Sequence, residues 1–433
     1  MSAHGVITCA DYQDDENVVL AGKKPSEELL GDFYGRFPWP WAPIKVECVE
    51  DRDFERIMLN QNLGDWTHSK IPVFPRIWVA GCGVNQALQT ALRFPDASVI
   101  GSDVSSTSLA ICERNARDLA IGNLELRQES INDTAYKQEF DYILCTGVIH
   151  HNADPQYTLA KLASALNPTG ILELMVYNRF HRTLTSSFQK AIRLLGNYTD
   201  GLDFEADLSM ARSLVRNFPV KNQISEMLSD FSEGSESDFA DLLIHPLEHS
   251  YTVESLYELI ASCELDYVMP AVTSYGRFCS PSILWELTFG DAELQSRYES
   301  LSDWQRWQIT NLLLHEKSPL LWFYLQHKDR PRIIEQEINH EFLDREFEPC
   351  RTQKRTYLLG SDNVYRPSAR MLPHPCSPPE GAFCAIMDEI RPGVTLHEIF
   401  HKLQLPTTPA ALHEARVKLT TSEFPYLKAV PRS

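Results

Sequence analysis

Positive charge, long apolar runs and paired cysteines are all scarce in this sequence. Lys and Arg together number 40 against 59 Asp and Glu, a formal net charge of -19. Nucleic-acid surfaces need clustered cations to neutralise phosphates, so the balance argues against an extended one and leaves only a local basic patch open. No stretch approaches the about 18 to 20 continuous apolar residues that a membrane helix requires, and none is predicted. Met1 to Tyr12 has no basic segment leading into an apolar run, so a secretory signal is not expected. The ten cysteines are scattered without a Cys-x-x-Cys pair, which favours reduced thiols in the cytoplasm over a disulfide scaffold. A chain of 433 residues with 43% hydrophobic and 23% charged content reads as a soluble globular protein of two or three domains.

What is present is concentrated between Ile77 and Asn178. The apolar run Arg76 to Ala80 leads directly into Gly81-Cys82-Gly83-Val84-Asn85-Gln86. A strand, closely spaced glycines and then a helix let the backbone approach a ligand with no side chain in the way. The next strand, Ala97 to Ser102, ends on Asp103, where an acid commonly accepts hydrogen bonds from ribose hydroxyls. Helices are predicted over 86–94, 107–119 and 157–165. Further strands are predicted over 123–128, 140–145 and 171–176. The glycine loop lacks the full dinucleotide pattern and a second mononucleotide half, which sets it apart from an ordinary NAD-binding domain.

This unit resembles the core of the class I S-adenosylmethionine-dependent methyltransferases. It is most similar to a bacterial subgroup whose first loop reads Ala-Gly-Cys-Gly-x-x-Gln and which is sometimes fused to tetratricopeptide repeats. The residues carrying the resemblance are Ala80 to Gln86, Asp103 to Leu109, Cys145 to His151 with Asp154-Pro155, and Leu166 to Ile171, the last read as the turn before a strand. The resemblance implies S-adenosyl-L-methionine as cofactor, held by Ala80, Gly81, Cys82, Gly83, Gln86, Asp103, Val104, Ser130, Ile131, Thr146 and Gly147. Ser130 stands where the family often has an adenine-binding acid, with Glu129 beside it.

His150 and His151 fall at the rim where strand ends meet ligand, and a histidine there can take a proton near neutral pH or position an acceptor. The catalytic candidates are His150, ranked first, with His151, Tyr177 and His245. Asp241, His245, His249 and Tyr251 form a polar group that fits amine or guanidinium recognition, metal binding or structural hydrogen bonding. No metal is assigned. His397-Glu398-Ile399-Phe400-His401 matches the zincin pattern literally, but its short helix reads as a chance match with Leu396, Ile399, Phe400 and Leu403 as core.

The expected fold is α/β, a Rossmann-like class I methyltransferase sheet with a helical accessory insertion and a small C-terminal α/β or winged-helix-like domain. Residues 1–62 read as an N-terminal extension, irregular to Lys24, with a short helix from about Pro25. Phe33 to Pro43 then reads as a stiff aromatic and proline strap that plugs the core or caps its pocket. The methyltransferase core covers 63–275 with an insertion at about 180–250. A helical accessory region covers 276–350, with helices at 283–287, 292–298 and 304–314, and the small domain covers 351–433. Transfer of a methyl group to a small-molecule amine or hydroxyl is the leading function. A peptide or protein side chain, then transfer RNA, then a noncatalytic interaction scaffold are the alternatives. The expected partners are a small-molecule or peptide acceptor, no DNA and no membrane, with a homodimer through the accessory region as one arrangement.

Overall fold

The computed structural model describes residues 26–38, 43–196, 203–230, 235–272, 275, 284–315 and 317–430. The irregular start to Lys24, the Trp39 to Ala42 part of the strap, and Ile283 lie outside the described residues.

The strands are β1 (Lys45–Val49), β2 (Arg76–Ala80), β3 (Ser98–Asp103), β4 (Leu124–Gln128), β5 (Phe140–Thr146), β6 (Leu166–Tyr177) and β7 (Leu265–Pro270). They continue with β8 (Leu320–His327), β9 (Phe347–Pro349), β10 (Thr352–Leu359), β11 (Tyr365–Pro367), β12 (Leu372–His374) and β13 (Leu427–Ala429). The first nine helices are α1 (Ser26–Arg36), α2 (Phe54–Asn62), α3 (Gln86–Arg93), α4 (Ser106–Asp118), α5 (Pro155–Ala165), α6 (Arg179–Gly196), α7 (Phe204–Arg216), α8 (Gln223–Asp230) and α9 (Glu236–Leu243). The remaining seven are α10 (Val253–Ser262), α11 (Ala292–Glu299), α12 (Asp303–Leu313), α13 (Glu335–Leu343), α14 (Ala382–Glu389), α15 (Leu396–Leu403) and α16 (Pro409–Thr420).

Seven strands form the central sheet in the order β4-β3-β2-β5-β6-β8-β7. β2 to β6 run parallel, joined by helical crossovers, while β8 lies antiparallel to both β6 and β7. The order reverses beside β2, so the β2 and β5 loops diverge and leave a crevice at the strand C-termini. Inward residues such as Ile77, Trp78, Val79, Ile143, Leu172 and Leu174 are fully buried, as a sheet covered on both faces requires.

Local chemistry sets the helix starts. Asp154 accepts from the Tyr157 amide with Pro155 in the first turn of α5. Thr252 and Ser255 close a capping box at the start of α10, and Thr395 and Glu398 close another at α15.

Four expectations change. The Leu166 to Gly170 segment is part of a twelve-residue β6, with a register shift opposite Phe140 and Tyr142. A Cβ at Gly170 would sit 2.8 Å from the Phe140 carbonyl oxygen, so the glycine that suggested a turn is there for a bulge's close approach. Residues 320–327, placed in the helical accessory region, form β8 of the main sheet, because an apolar run that is buried on a sheet carries no alternation to mark it. Residues 284–287 are not helical; Trp285 instead donates to the Val272 carbonyl at 2.9 Å and packs on Tyr275 and Phe323. Finally, Phe33 to Arg36 belong to α1 rather than to an extended strap. Phe33 and Phe37 are buried among Phe188, Ile192, Leu208 and Phe239 of the insertion helices.

The C-terminal segment docks on this frame. β1 pairs with β10, from Lys45 opposite Leu358 to Val49 opposite Lys354, and β13 pairs with β9. Leu396, Ile399, Phe400, Leu412 and Leu419 are continuous with the core under the sheet. His397, Glu398 and His401 are exposed, and Glu398 is engaged with the Thr395 amide at 2.9 Å, so α15 uses its apolar face for packing.

Candidate active site

A cleft of about 1520 Å³ opens above the C-terminal ends of β2, β3, β5 and β6. That exceeds the usual volume of a pocket for one small ligand, roughly 300 to 1,000 Å³. It has room for two ligands side by side.

One end is built from backbone. Gly81 and Gly83 adopt φ of 70° and 52°, a region that L side chains avoid. At Gly81 an added Cβ would also lie 2.5 Å from the Val148 side chain. Asn85 takes φ of -146°, so the loop asks nothing left-handed of it. The turn is anchored by the Cys82 amide on the Ser102 carbonyl at 2.9 Å and the Gly83 amide on Asp103 Oδ2 at 2.8 Å. Asp103 Oδ1 accepts from the Ser105 amide at 2.8 Å. Burial pushes its carboxyl upward in pKa, while these amides pull the other way. Gln86 Nε2 donates to Thr146 Oγ1 at 2.5 Å, tying the first loop to the end of β5.

Of the cofactor residues read from the sequence, Gly81, Cys82, Gly83, Gln86, Asp103, Val104, Ser130, Ile131, Thr146 and Gly147 all line this cleft. Ala80 is fully buried beneath it. Ser130 Oγ donates to Glu27 Oε1 at 2.9 Å, and Glu27, Leu30 and Tyr34 of α1 line the cleft as well. Tyr34 and Pro43 belong to the Phe33 to Pro43 segment expected to plug the core or cap its pocket, and both line the cleft; nothing in the local sequence around Glu27 signals a site, and only the docking of α1 brings it there.

The opposite end is built from side chains. The chain segment after α9 is zipped onto the end of β6: the Tyr251 amide donates to the Tyr177 carbonyl at 2.9 Å and the Arg179 amide to the Tyr251 carbonyl at 2.8 Å. This places Asp241, near the end of α9, on the cleft wall and His245 behind it. Asp241, 1% exposed, accepts from Tyr34 Oη on Oδ1 and from Tyr177 Oη on Oδ2, both at 3.3 Å. Burial raises its carboxyl pKa to about 7, despite the pull of the Arg182 guanidinium. Arg182 is held bidentately by Glu248 at 2.7 and 2.5 Å and lies 4.3 Å over the Tyr177 ring. The same burial pushes the Tyr34 and Tyr177 phenols well up, so both remain donors.

The histidines divide by position. His151 lines the cleft and donates Nδ1–H to the Leu247 carbonyl at 2.9 Å; burial lowers its pKa to about 4. His245 accepts the Leu247 amide on Nδ1 at 3.2 Å. Its proton therefore resides on Nε2, 3.2 Å from Tyr34 Oη. His150, ranked first as a base, is fully buried between the His151 and Tyr177 rings, with centroids 4.2 and 4.1 Å away. It does not line the cleft, and burial drives its pKa well down. Of the polar quartet, Asp241 lines the cleft and His245 backs it, whereas His249 and Tyr251 do not reach the wall.

Among the described residues, His151, Asp241 and His245 bring ligand atoms within 4.8 Å of one another. A metal would need an imidazole lone pair from each histidine. On His245 the Nδ1 lone pair is taken by an amide and Nε2 carries the proton, so His245 and Asp241 are joined through Tyr34 in a hydrogen-bond relay, with His151 held apart on the Leu247 carbonyl.

Residues 80–208 match the family described as a methyltransferase domain. The chain is 32% identical over 246 residues to an uncharacterized protein of Synechococcus sp., covering 55% of this chain and 57% of that one. It is 31% identical over 110 residues to a ubiquinone biosynthesis O-methyltransferase of Chelativorans sp., covering 25% and 43%. The structure of PKMT2 from Rickettsia typhi in complex with AdoHcy superposes with a TM-score of 0.54 at 17% identity, covering 90% of this chain and 77% of that one, a likeness of fold. The chain spans 57% and 43% of the length of the two curated relatives named. Residues 80–208 thus resemble a methyltransferase domain, and the sheet that carries them is Rossmann-like, as in the superposed structure.

Proposed function

We propose that this chain is an S-adenosylmethionine-dependent methyltransferase acting on a small-molecule nucleophile, an amine or a hydroxyl. The observation that carries the reading is the cleft's two-ended construction. A backbone cradle with a ribose-reading carboxylate faces one end, and a buried carboxylate with a pKa of about 7, held by two phenols, faces the other.

The residues present suit the cofactor. Gly81 and Gly83 leave their backbone bare beside the start of α3, whose positive end favours a carboxylate. Asp103 presents oxygens for ribose hydroxyls, and Val104 and Ile131 offer apolar walls for a base. When bound, S-adenosylmethionine supplies a methyl group activated by its sulfonium. The chain's own task is to orient the acceptor, exclude water and receive a proton. Asp241 suits the last role better than the histidines do. It lines the cleft, its pKa lies near neutrality, and His150 and His151 are poorly basic. Tyr34 and Tyr177 hold its two oxygens in place, and the Arg182–Glu248 pair braces Tyr177.

A peptide or protein side chain is the second reading. The cleft runs on past Asp241 to Gln223 and Glu226 of α8 and to His315 and Pro319, leaving room for more than one small acceptor. Glu27, Glu129, Glu226 and Asp241 on its walls disfavour transfer RNA.

The test is calorimetric binding of S-adenosylmethionine and S-adenosylhomocysteine to the native protein and to Asp103→Ala. Native binding that weakens by roughly 10- to 100-fold in the variant supports the site and opens a screen of amines, hydroxyl compounds and peptides. Absence of binding by the native protein favours the noncatalytic scaffold.

A further inference from the structure

α1 reaches the cleft from a part of the chain that no motif marks, and it does so with a carboxylate. Glu27 Oε1 receives two hydrogen bonds, from Ser130 Oγ at 2.9 Å and from Asn132 Nδ2 at 2.7 Å. Both donors are themselves fixed: Ser130 Oγ accepts the Asn132 amide at 3.1 Å, and Asn132 Oδ1 accepts Thr158 Oγ1 at 2.8 Å. The carboxylate is therefore oriented by the loop after β4 and the first turn of α5, through Oε1 alone, which leaves Oε2 clear of those contacts. Val104, Ile131 and Leu30 line the same end of the cleft as Glu27, with Glu129 beside Ser130 on its wall.

An acid in the first turn of a helix also has an ordinary use, since it favours the helix dipole. That use needs no partner on another element, and Glu28 is there to supply it. Glu27 is instead tied to Ser130, at the position where the resemblance places an adenine-binding acid and this chain has none.

We propose that Glu27 supplies that acid from α1, its Oε2 accepting the exocyclic 6-amino group of the cofactor's purine. The inference rests on the S-adenosylmethionine reading above. A carboxylate oxygen accepts and cannot donate, so it favours a 6-aminopurine and opposes a 6-oxopurine, whose carbonyl would face it unpaired. The same helix carries Tyr34 seven residues on, two turns and about 10 Å along its axis, to Asp241. One element thus reads the nucleoside and braces the acceptor end.

The experiment compares S-adenosylhomocysteine with its 6-oxo analogue S-inosylhomocysteine, by calorimetry, on the native protein, Glu27→Gln and Glu27→Ala, with thermal melting as a check on folding. The native protein should prefer the amino compound by roughly 10- to 100-fold. Both variants should lose most of that preference, and Glu27→Gln, whose amide can donate to a 6-oxo group, should lose the most. Glu27→Gln is isosteric, so it decides the matter even where Glu27→Ala loosens α1. An equal preference in all three proteins overturns the assignment while leaving the cofactor reading intact. If the native protein binds neither compound, both the assignment and the cofactor reading fall. A purely structural Glu27 would shift melting and both affinities together without changing their ratio.

Discussion

The two ends of the cleft are made in opposite ways. The β2–β3–β5 end is made by backbone: positive-φ glycines, amides on Asp103, and loops that follow directly from consecutive strands. The Asp241 end is made by side chains from α1, β6, α6, α9 and the segment after it, each positioned by contacts more than sixty residues apart in sequence. The first construction is rigid and depends on few residues. The second is adjustable, because its members can be exchanged without rebuilding a strand. A fixed cofactor site beside a variable acceptor site is the division of labour such a cleft suits.

The sharpest way to separate the ends is Asp241→Asn. Turnover should fall by roughly 10²- to 10⁴-fold, the range for loss of a positioned proton acceptor, with S-adenosylhomocysteine affinity unchanged. In the native protein turnover should rise with pH through about 7 as Asp241 ionises; the variant should lose that limb. Unequal cofactor affinity would show that the ends are not separable.

The converse break is Gly81→Ala. The strained φ and the overlap with Val148 should displace the loop and cost cofactor affinity roughly 100-fold. Near-native affinity by calorimetry would refute the need for bare backbone there.

Stability should also report the difference. His151 is held near pKa 4 by burial, with His150 and His245 shifted the same way. The unfolded chain takes up protons near pH 6.5 that the folded site refuses. Stability present above 6.5 is therefore lost as pH falls toward 4, by roughly 3 kcal/mol for His151 alone. Asp241 acts in the opposite sense. Its raised pKa favours the fold at low pH, and that contribution is lost as pH rises through about 7. Because the two contributions oppose each other over the same range, about pH 4 to 6.5, Asp241→Asn should steepen the loss of stability seen in urea unfolding from pH 8 to 4.5.

The smallest effect belongs to the tail. His397→Ala and His401→Ala should change stability by no more than about 0.5 kcal/mol and leave methyl transfer untouched. A metal-dependent loss in either would reopen the zincin reading.

The same contrast explains what could be read in advance. β2 to β5, the glycine loop, Asp103 and Thr146 were legible because their signals lie within a few residues of one another. Asp241 appeared only as one of four polar candidates, and His150 drew the leading role from its motif position although its ring faces inward. Glu27 was invisible, since its place at the cleft depends on where α1 docks, whereas Tyr34 fell in the segment expected to plug the core or cap the pocket. β8 escaped because Leu320 to Leu325 is continuously apolar, and β1 because its partner, β10, lies some three hundred residues away.

The pairing of β6 with β8 bears on how the molecule is made. On a ribosome, β6 is an open edge from the moment Tyr177 emerges until His327 has followed, and β1 waits longer still for Leu359. Unpaired edges invite wrong partners, and distant pairings form slowly. A chain released at residue 275 would present the methyltransferase motifs intact but with β6 uncovered. The sheet beneath the cleft is therefore completed late, once the far half of the chain has been synthesised and has come back to pair with β6.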